Sequence, residues 1–405
     1  MKRRLLITAC SLEIGGIERS LVGLLDALDY DKYDVDVLLF SRKGELLDQA
    51  DPRCTVLAEN AALATLLKPV RQVIRERHFL LALARIFAKR RVMRRFPRQD
   101  DPKWDDGITF ATLQAYWDAS IRFLPPMRET YDAAISFMWP HHYVAYKVRA
   151  KKKFAWIHTD HTIAIVDKAR DAAVWSRFDG FCAVSDGVSE TFLKVYPQFR
   201  GKVTTVENAL SAVFVRRSAE AFEPEDMPAE PGVYRLLSVG RMSYPKAFDR
   251  AARVCRILKD RGVPFRWYIV GYGTLEEELR ALIRELDVAD CCILLGKKTN
   301  PYPYMLHCDL YLQPSRYEGK AVTVREAQML ARPVLITDFQ TARSQVRDGF
   351  DAVIAPQDET LLADAVEALL ADADARRRLS ENAAQTDYGN ADAVRTLEAL
   401  MEENT

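Results

Sequence analysis

Glu318 and Glu326 stand eight residues apart in the stretch Tyr317-Glu318-Gly319-Lys320-Ala321-Val322-Thr323-Val324-Arg325-Glu326-Ala327. The first follows a strand-like apolar run at 309–315. The second falls about two turns into a predicted helix. A helix start presents unbonded backbone N–H groups and the positive end of the helix dipole, a natural seat for a diphosphate. A carboxylate on the loop and another on the helix would flank that anion and accept hydrogen bonds from sugar hydroxyls. This chemistry suits a bound nucleotide-sugar. The same residues also describe a strand, a turn and a surface helix with two solvated acids, so the pair needs support from elsewhere in the chain.

Support comes first from cations. Ser238-Val239-Gly240-Arg241-Met242-Ser243-Tyr244-Pro245-Lys246 follows a strand-like run. Arg241 and Lys246 thus sit at a strand's carboxyl end, where open α/β sheets bind ligands. There they would neutralise a diphosphate and stabilise it as a leaving group; the alternative is two solvated surface charges. Near the N-terminus, Gly15 and Gly16 form a turn that lets backbone approach a ligand, or simply joins a strand to a helix. His158, in Trp156-Ile157-His158-Thr159-Asp160-His161, can bond a sugar or acceptor hydroxyl or serve the structure alone. The grouping of His158, Asp160 and His161 invites a metal, but no other ligand set accompanies it. Asp34-Val35-Asp36 and Asp372-Ala373-Asp374 fall in a strand start and a helix-rich tail. No metal site and no cofactor are expected.

These residues need a scaffold, and the hydrophobic pattern supplies one. Strand-like runs at 4–10, 35–40, 133–137, 153–157, 180–184 and 202–206 alternate with helical patterns such as 17–28. After a proline-bearing, acid-rich stretch at 216–232 a second alternation begins. Its strands are expected at 236–239, 266–270, 292–295, 310–312, 334–336 and 352–355, with helices over about 248–261, 275–286 and from 321. Alternating strands and helices imply parallel sheets covered on both faces. The expected organisation is α/β: two Rossmann-like domains facing across a cleft, at 1–215 and 233–378. Residues 216–232 are the linker, and a final helical segment, 379–405, could cross back to the first domain. A chain of 405 residues, 49% hydrophobic and 28% charged, accommodates two such cores. Seven scattered cysteines without metal-ligand spacing suit a reducing compartment. No signal-peptide core and no apolar run long enough to span a membrane are present.

Taken in order, these motifs resemble those of the retaining glycosyltransferases of family 4, which have the GT-B fold. Glu318 and Glu326 match the family's E-x7-E pair. Gly240-Arg241 and Lys246 match its G-R-x-x-x-x-K segment, with Ala247 in place of the usual glycine and Asp249 kept. Ile269-Val270-Gly271-Tyr272-Gly273 matches its V-G-x-G turn. Leu295-Gly296, Pro303-Tyr304-Met305, Ala331-Arg332-Pro333-Val334 and Asp348-Gly349 fall at further family positions. Gly15-Gly16 with Glu18, the Trp156-Ile157-His158 segment and Asn208 match in the first half. The chain departs from the pattern at Lys320-Ala321, where many relatives have Phe-Gly, and at Asp338-Phe339-Gln340-Thr341, which lacks a small glycine pair.

The resemblance implies retaining, metal-independent transfer of a sugar from a nucleotide diphosphate sugar, with UDP the commonest base. It implies Glu318 on the sugar hydroxyls, Glu326 on the ribose, Arg241 and Lys246 on the departing diphosphate, and His158 near the acceptor. Gly16, Gly240, Gly271, Gly273, Gly319, Lys320, Ala321, Val322 and Thr323 would complete the donor site. The implied pathway is bacterial-type capsule, exopolysaccharide or lipid-linked glycan assembly. Rival readings are a UDP-sugar epimerase that hydrolyses its substrate, and a non-catalytic nucleotide-sugar or membrane-binding protein.

Residues 68–98 stand apart. Eleven cations there meet one acid, Glu76, with apolar residues interleaved. Such a basic amphipathic segment reads as a membrane-surface element, a nucleic-acid contact or a solvated helix. With the resemblance to enzymes of lipid-linked glycans, an anionic membrane is the expected partner and nucleic acid is not. The expected location is cytoplasmic, peripheral on the inner face of the cell membrane.

Overall fold

The chain divides into two compact units, residues 1–210 with 390–405, and residues 211–389. The computed structural model describes residues 2–96, 102–210, 212–389 and 391–402. The first unit holds a seven-stranded parallel sheet. Its order is Thr55–Val56, Tyr33–Leu39, Arg3–Ala9, Thr130–Ser136, Arg149–Ile157, Gly180–Ala183 and Val203–Thr205. Leu5, Leu6 and Ile7 are fully buried, as expected where helices cover both faces of a parallel sheet. Register sets Leu5 between Val35 and Ala133, and Ile7 between Val37 and Ile135. The strand ending at Ile157 begins at Arg149, earlier than its apolar run suggests. Its basic first half pairs with Thr130–Ser136 at the wetter end of the sheet.

The second unit holds a six-stranded parallel sheet. Its order is Cys292–Gly296, Phe265–Val270, Tyr234–Val239, Leu310–Gln313, Val334–Thr337 and Val353–Ala355. In each unit the first strand has the second on one side and the fourth on the other, so chain order reverses there. Ligands of open α/β sheets bind at the carboxyl ends of the strands flanking such a reversal. In the second unit those ends are Val239 and Gln313. The loops that leave them carry Arg241, Lys246 and Glu318.

The unit boundaries differ from those read in the sequence. Residues 216–232, expected as a linker, belong to the second unit. The acids that make this stretch look solvated anchor it instead. Asp226 accepts from Tyr304 at 2.8 Å and pairs with Lys298 at 2.6 Å, and Glu230 pairs with Arg266 at 2.7 Å. Met227 is buried among them. The helix Ala212–Ala219 also joins this unit: the Ser218 carbonyl accepts from Asn300 at 2.7 Å. At the other end, the helix Ala373–Gln385 stays with the second unit, and Tyr388 bonds Asp351 at 3.1 Å. The helix Ala391–Glu402 then lies in the first unit, burying Val394, Leu397 and Met401 in that core.

Candidate active site

Lys246 and Glu318 meet at the reversal of the second sheet. The Lys246 ammonium lies 2.6 Å from Glu318 Oε1, and the two side chains are 19% and 11% exposed. Local structure brings them there. Lys246 closes a short 3-10 turn, Tyr244–Lys246, and its aliphatic stem runs over Gly240, where a Cβ would approach it to 3.3 Å. The chain then passes through Ala247 at φ 54°, ψ 42° and enters the helix Phe248–Asp260. This left-handed turn is where the family pattern carries glycine, because only glycine adopts it without a Cβ penalty.

Glu318 is held by a chain of buried polar groups that its local sequence does not disclose. Ser315 Oγ donates to Glu318 Oε1 at 2.6 Å and Gln313 Nε2 at 3.4 Å. Gln313 Oε1 in turn accepts from Tyr311 at 2.9 Å and from Thr323 at 3.3 Å. Gln313, Ser315 and Tyr311 are wholly buried, so each bond is made away from competing water. These bonds and that from Lys246 converge on one oxygen, Oε1; among the described residues none reaches Oε2. Thr341 Oγ1 donates to the Glu318 carbonyl at 2.7 Å, fixing the backbone as well. A signal did exist: Gln313 is a polar residue ending an otherwise apolar strand, and Ser315 follows it two residues on.

Asp249, a matched family position, acts as a clamp. Its two oxygens take the Arg316 guanidinium at 2.8 and 2.5 Å, and Arg316 also bonds the Tyr244 carbonyl and lies over the Tyr244 ring. The loop bearing Lys246 and the loop bearing Glu318 are thereby tied together. Burial opposes ionisation of Asp249, but Arg316 and backbone amides more than offset it and hold the carboxyl below its ordinary range. Arg241 is exposed on the same loop.

Glu326 is the fifth residue of the helix Val322–Met329 and is fully buried. It accepts from Tyr302 at 2.7 Å. Tyr302 was not singled out in the sequence, although its neighbours Pro303-Tyr304-Met305 were. Gly271 and Gly273 are required by backbone approach. A Cβ on Gly271 would come within 1.8 Å of the Gly240 carbonyl oxygen, and one on Gly273 within 2.1 Å of that of Met242. Gly271 also has φ +155°. They set the spacing of the loops after the first two strands. Among the amides expected to receive phosphate, that of Ala321 is otherwise engaged. It donates to Gln345 Oε1 at 3.1 Å, while Gln345 Nε2 donates to the Ala321 carbonyl at 2.7 Å. Ala321 is therefore withdrawn from that set. Gly319 and Lys320 sit half-buried in the loop, and Val322 and Thr323 open the helix.

In the first unit, the helix Gly16–Ala27 starts from Gly15, where a Cβ would collide with the Glu18 carboxylate. Ser20 donates to the buried Asn208 at 2.8 Å. His158 stacks on Trp156, and its Nε2 lies 2.9 Å from the Phe137 carbonyl. A carbonyl only accepts, so Nε2 carries the proton and Nδ1 is left as an acceptor. Burial pulls the His158 pKa down to about 3, against a smaller opposing effect of the Phe137 bond, which keeps the ring neutral. The grouping of His158, Asp160 and His161 resolves into separate local bonds. Asp160 Oδ1 accepts from the amide and hydroxyl of Thr162 at 2.8 and 2.6 Å, and His161 Nδ1 bonds the Thr159 carbonyl at 3.0 Å. The two carboxylate pairs are structural too: Asp36 accepts from Tyr131 at 2.9 Å, and Asp372 caps the helix Ala373–Gln385.

The two Rossmann-type units define a GT-B fold. Solved structures agree in fold: HepE of Anabaena in complex with UDP and glucose (TM-score 0.69, 14% identity, all of both chains covered) and S. aureus TarM (TM-score 0.67, 13% identity, 100% of this chain and 99% of that one). Residues 221–386 match the family described as glycosyl transferases group 1. Curated relatives include the amylovoran biosynthesis glycosyltransferase AmsK of Erwinia amylovora, 32% identical over 131 residues (30% of this chain, 32% of that protein). The alpha-D-kanosaminyltransferase of Streptomyces kanamyceticus is 30% identical over 152 residues (37% and 39%). The N-acetylgalactosamine-N,N'-diacetylbacillosaminyl-diphospho-undecaprenol 4-alpha-N-acetylgalactosaminyltransferase of Campylobacter jejuni is 30% identical over 153 residues (37% and 41%). The chain spans about a third to two fifths of the length of these relatives.

Proposed function

We propose that the protein transfers a sugar, with retention and without a metal, from a nucleotide diphosphate sugar to a glycan or lipid-linked acceptor in polysaccharide assembly. The observation that carries this reading is the Lys246–Glu318 pair at the reversal of the second sheet. A cation and a carboxylate in one half-buried place match the two ends of such a donor: diphosphate on one side, sugar hydroxyls on the other. The group 1 match over the same residues supports it. So does the diphospho-undecaprenol acceptor named for the Campylobacter relative, and UDP in the HepE complex makes UDP the first nucleotide to test.

In this reading Lys246, joined by Arg241, supplies positive charge to the diphosphate as the anomeric C–O bond breaks and the electron pair passes to the β-phosphate oxygen. Glu318 Oε2 receives sugar hydroxyls, while the Gln313–Ser315 chain keeps its partner oxygen in place. Glu326, oriented by Tyr302, takes the ribose. The acceptor oxygen bonds to the anomeric carbon on the face the phosphate leaves, and its proton passes to that phosphate. Neutral His158 offers Nδ1 to a sugar or acceptor hydroxyl.

A thermal-shift screen of UDP, GDP and ADP, each with its sugars, tests the donor site, since stabilisation grows with ligand concentration over Kd. One nucleotide series should raise the melting temperature, and Lys246→Ala should abolish the rise. A screen without any shift, or an unchanged shift in Lys246→Ala, overturns the assignment. UDP release that needs no acceptor would instead favour the hydrolysing epimerase.

A further inference from the structure

The basic segment separates into an inward and an outward set once folded. It forms the helices Val70–Arg75 and Phe79–Arg95 of the first unit. Leu81, Ala82, Arg85, Ala88 and Val92 are buried. Arg85 is thereby removed from the surface cations expected from the sequence. It donates to the carbonyls of Thr65 and Lys68 and lies over the Tyr116 ring. Lys68 pairs with Glu76 at 2.9 Å and Arg95 with Asp167 at 2.7 Å. Arg98 lies outside the described residues.

The outward set is unusual for a protein surface. Phe79, Leu80, Leu83 and Phe87 are 57%, 61%, 51% and 64% exposed. At helical spacing they share roughly a third of the circumference with Arg90 and Arg94. Arg91 is exposed at the edge of that arc. From residue 77 to 98 the sequence has no acid. Contiguous exposed apolar side chains mark an interaction surface. The cations on the same face select a partner with negative charge outside and hydrocarbon beneath. A nucleic acid would use the arginines but leave the four large apolar residues unmatched.

We propose that the outward face of the helix Phe79–Arg95 docks on an anionic lipid bilayer. Phe79, Leu80, Leu83 and Phe87 enter the boundary of the acyl region, and Arg90, Arg91 and Arg94 bond headgroup phosphates. This rests on and deepens the transfer reading, in which a lipid-linked acceptor is one of the two classes proposed, by naming the surface that would bring the enzyme to it.

The test is co-sedimentation of the full chain with vesicles of phosphatidylcholine, alone or with phosphatidylglycerol. Binding should require phosphatidylglycerol. The variant Arg90→Gln/Arg91→Gln/Arg94→Gln should bind more than about fiftyfold more weakly, at roughly fivefold per cation. Phe79→Ser/Leu83→Ser/Phe87→Ser should retain only weak binding that salt removes. Because neither set is buried, folding should survive, and a separate Phe87→Trp variant should show added fluorescence quenched by brominated acyl chains. Unchanged sedimentation in either triple variant, or no added quenching, overturns the proposal. So does self-association that the serine variant abolishes without any vesicle binding, or tighter binding to duplex DNA than to vesicles. No nucleotide is present, and nucleotide binding by the variants is measured separately, so failure of docking and failure of the donor site are read apart.

Discussion

If Lys246 is shared between Glu318 and an incoming diphosphate, neutralising the carboxylate should tighten nucleotide binding while destroying transfer. Two unit charges 2.6 Å apart attract by roughly 6 kcal/mol at an effective dielectric of about 20, before desolvation is subtracted. With 19% and 11% exposure, the pair lies between solvent-exposed and fully buried. Exposed pairs are worth about 0–1 kcal/mol, and removing one partner of a buried pair costs about 3–5 kcal/mol, so about 2 kcal/mol is the working value here. Part of that is given up when UDP takes the ammonium. In Glu318→Gln nothing is given up, and a nearby negative charge is also gone. The amide oxygen can still accept from Ser315, so the loop should persist.

The expected result in full-length protein is UDP binding about three- to thirtyfold tighter in Glu318→Gln, since about 1.4 kcal/mol is tenfold. Lys246→Met should bind UDP about ten- to a hundredfold more weakly, from loss of a charge-assisted bond worth about 1.5–3 kcal/mol. Transfer should fall by about a hundredfold or more in Glu318→Gln, because the sugar is no longer oriented. Isothermal titration and a product assay on the same preparations supply both readouts. UDP binding weakened tenfold in Glu318→Gln would refute the competition for Lys246. Transfer at the unmodified rate would refute the role of Glu318 itself.

Tyr302→Phe should raise the UDP Kd about tenfold through the lost 2.7 Å bond to buried Glu326, with kcat little changed; a fall in kcat alone would contradict a ribose role. Ala331 has φ 52° just after the helix Val322–Met329 and is not fully buried, so Ala331→Gly should stabilise the second unit by about 0.5–1 kcal/mol. Thermal melting checks this, and a lowered midpoint would refute it. Burial lowers the pKa values of His141, His158 and His161, the second to about 3. Above the unfolded value near 6.5 these rings are neutral in both states. As pH falls below it the unfolded chain takes up protons the folded one refuses, so stability should fall from about pH 6.5 downwards. Denaturant melts at several pH values should show a shallower decline in His158→Gln, and an identical slope would exclude that ring as a contributor.

All strands of both sheets except the two-residue edge strand Thr55–Val56 were legible, because buried parallel strands write themselves as short apolar runs, such as Leu5-Leu6-Ile7 and Leu236-Leu237. The helices between them follow from spacing in the same way. What misled was polarity. The acids and prolines of 216–232 look like a solvated linker, yet Asp226 and Glu230 find Lys298, Tyr304 and Arg266, which are distant in sequence. Arg85 looks like one more surface cation, yet two carbonyls and a tyrosine ring take it inside. Local composition cannot disclose a partner supplied by tertiary packing. The same limit applies at the site. Glu318 and Lys246 were visible as chemistry, but Gln313, Ser315, Tyr311 and Tyr302, which aim the carboxylates, were hidden among strand and helix residues.

The positions where the chain leaves the family pattern acquire a physical reading from these contacts. Where a small glycine pair is usual, the chain has Asp338-Phe339-Gln340-Thr341. Phe339 is buried, and Thr341 reaches the carbonyl of Glu318 at 2.7 Å. Four residues on, Gln345 bonds both the amide and the carbonyl of Ala321. The loop from Glu318 to Ala321 is therefore braced at both ends by side chains of one segment, 341–345. A glycine pair has no side chains with which to do this and would leave close backbone approach open to a ligand instead. Thr341, in one departure, thus fixes the backbone just before the other, while Gln345, outside both, holds the backbone of Ala321. Because these bonds go to main-chain atoms, exchanging Lys320-Ala321 alone for the usual Phe-Gly should leave the Gln345 and Thr341 braces in place.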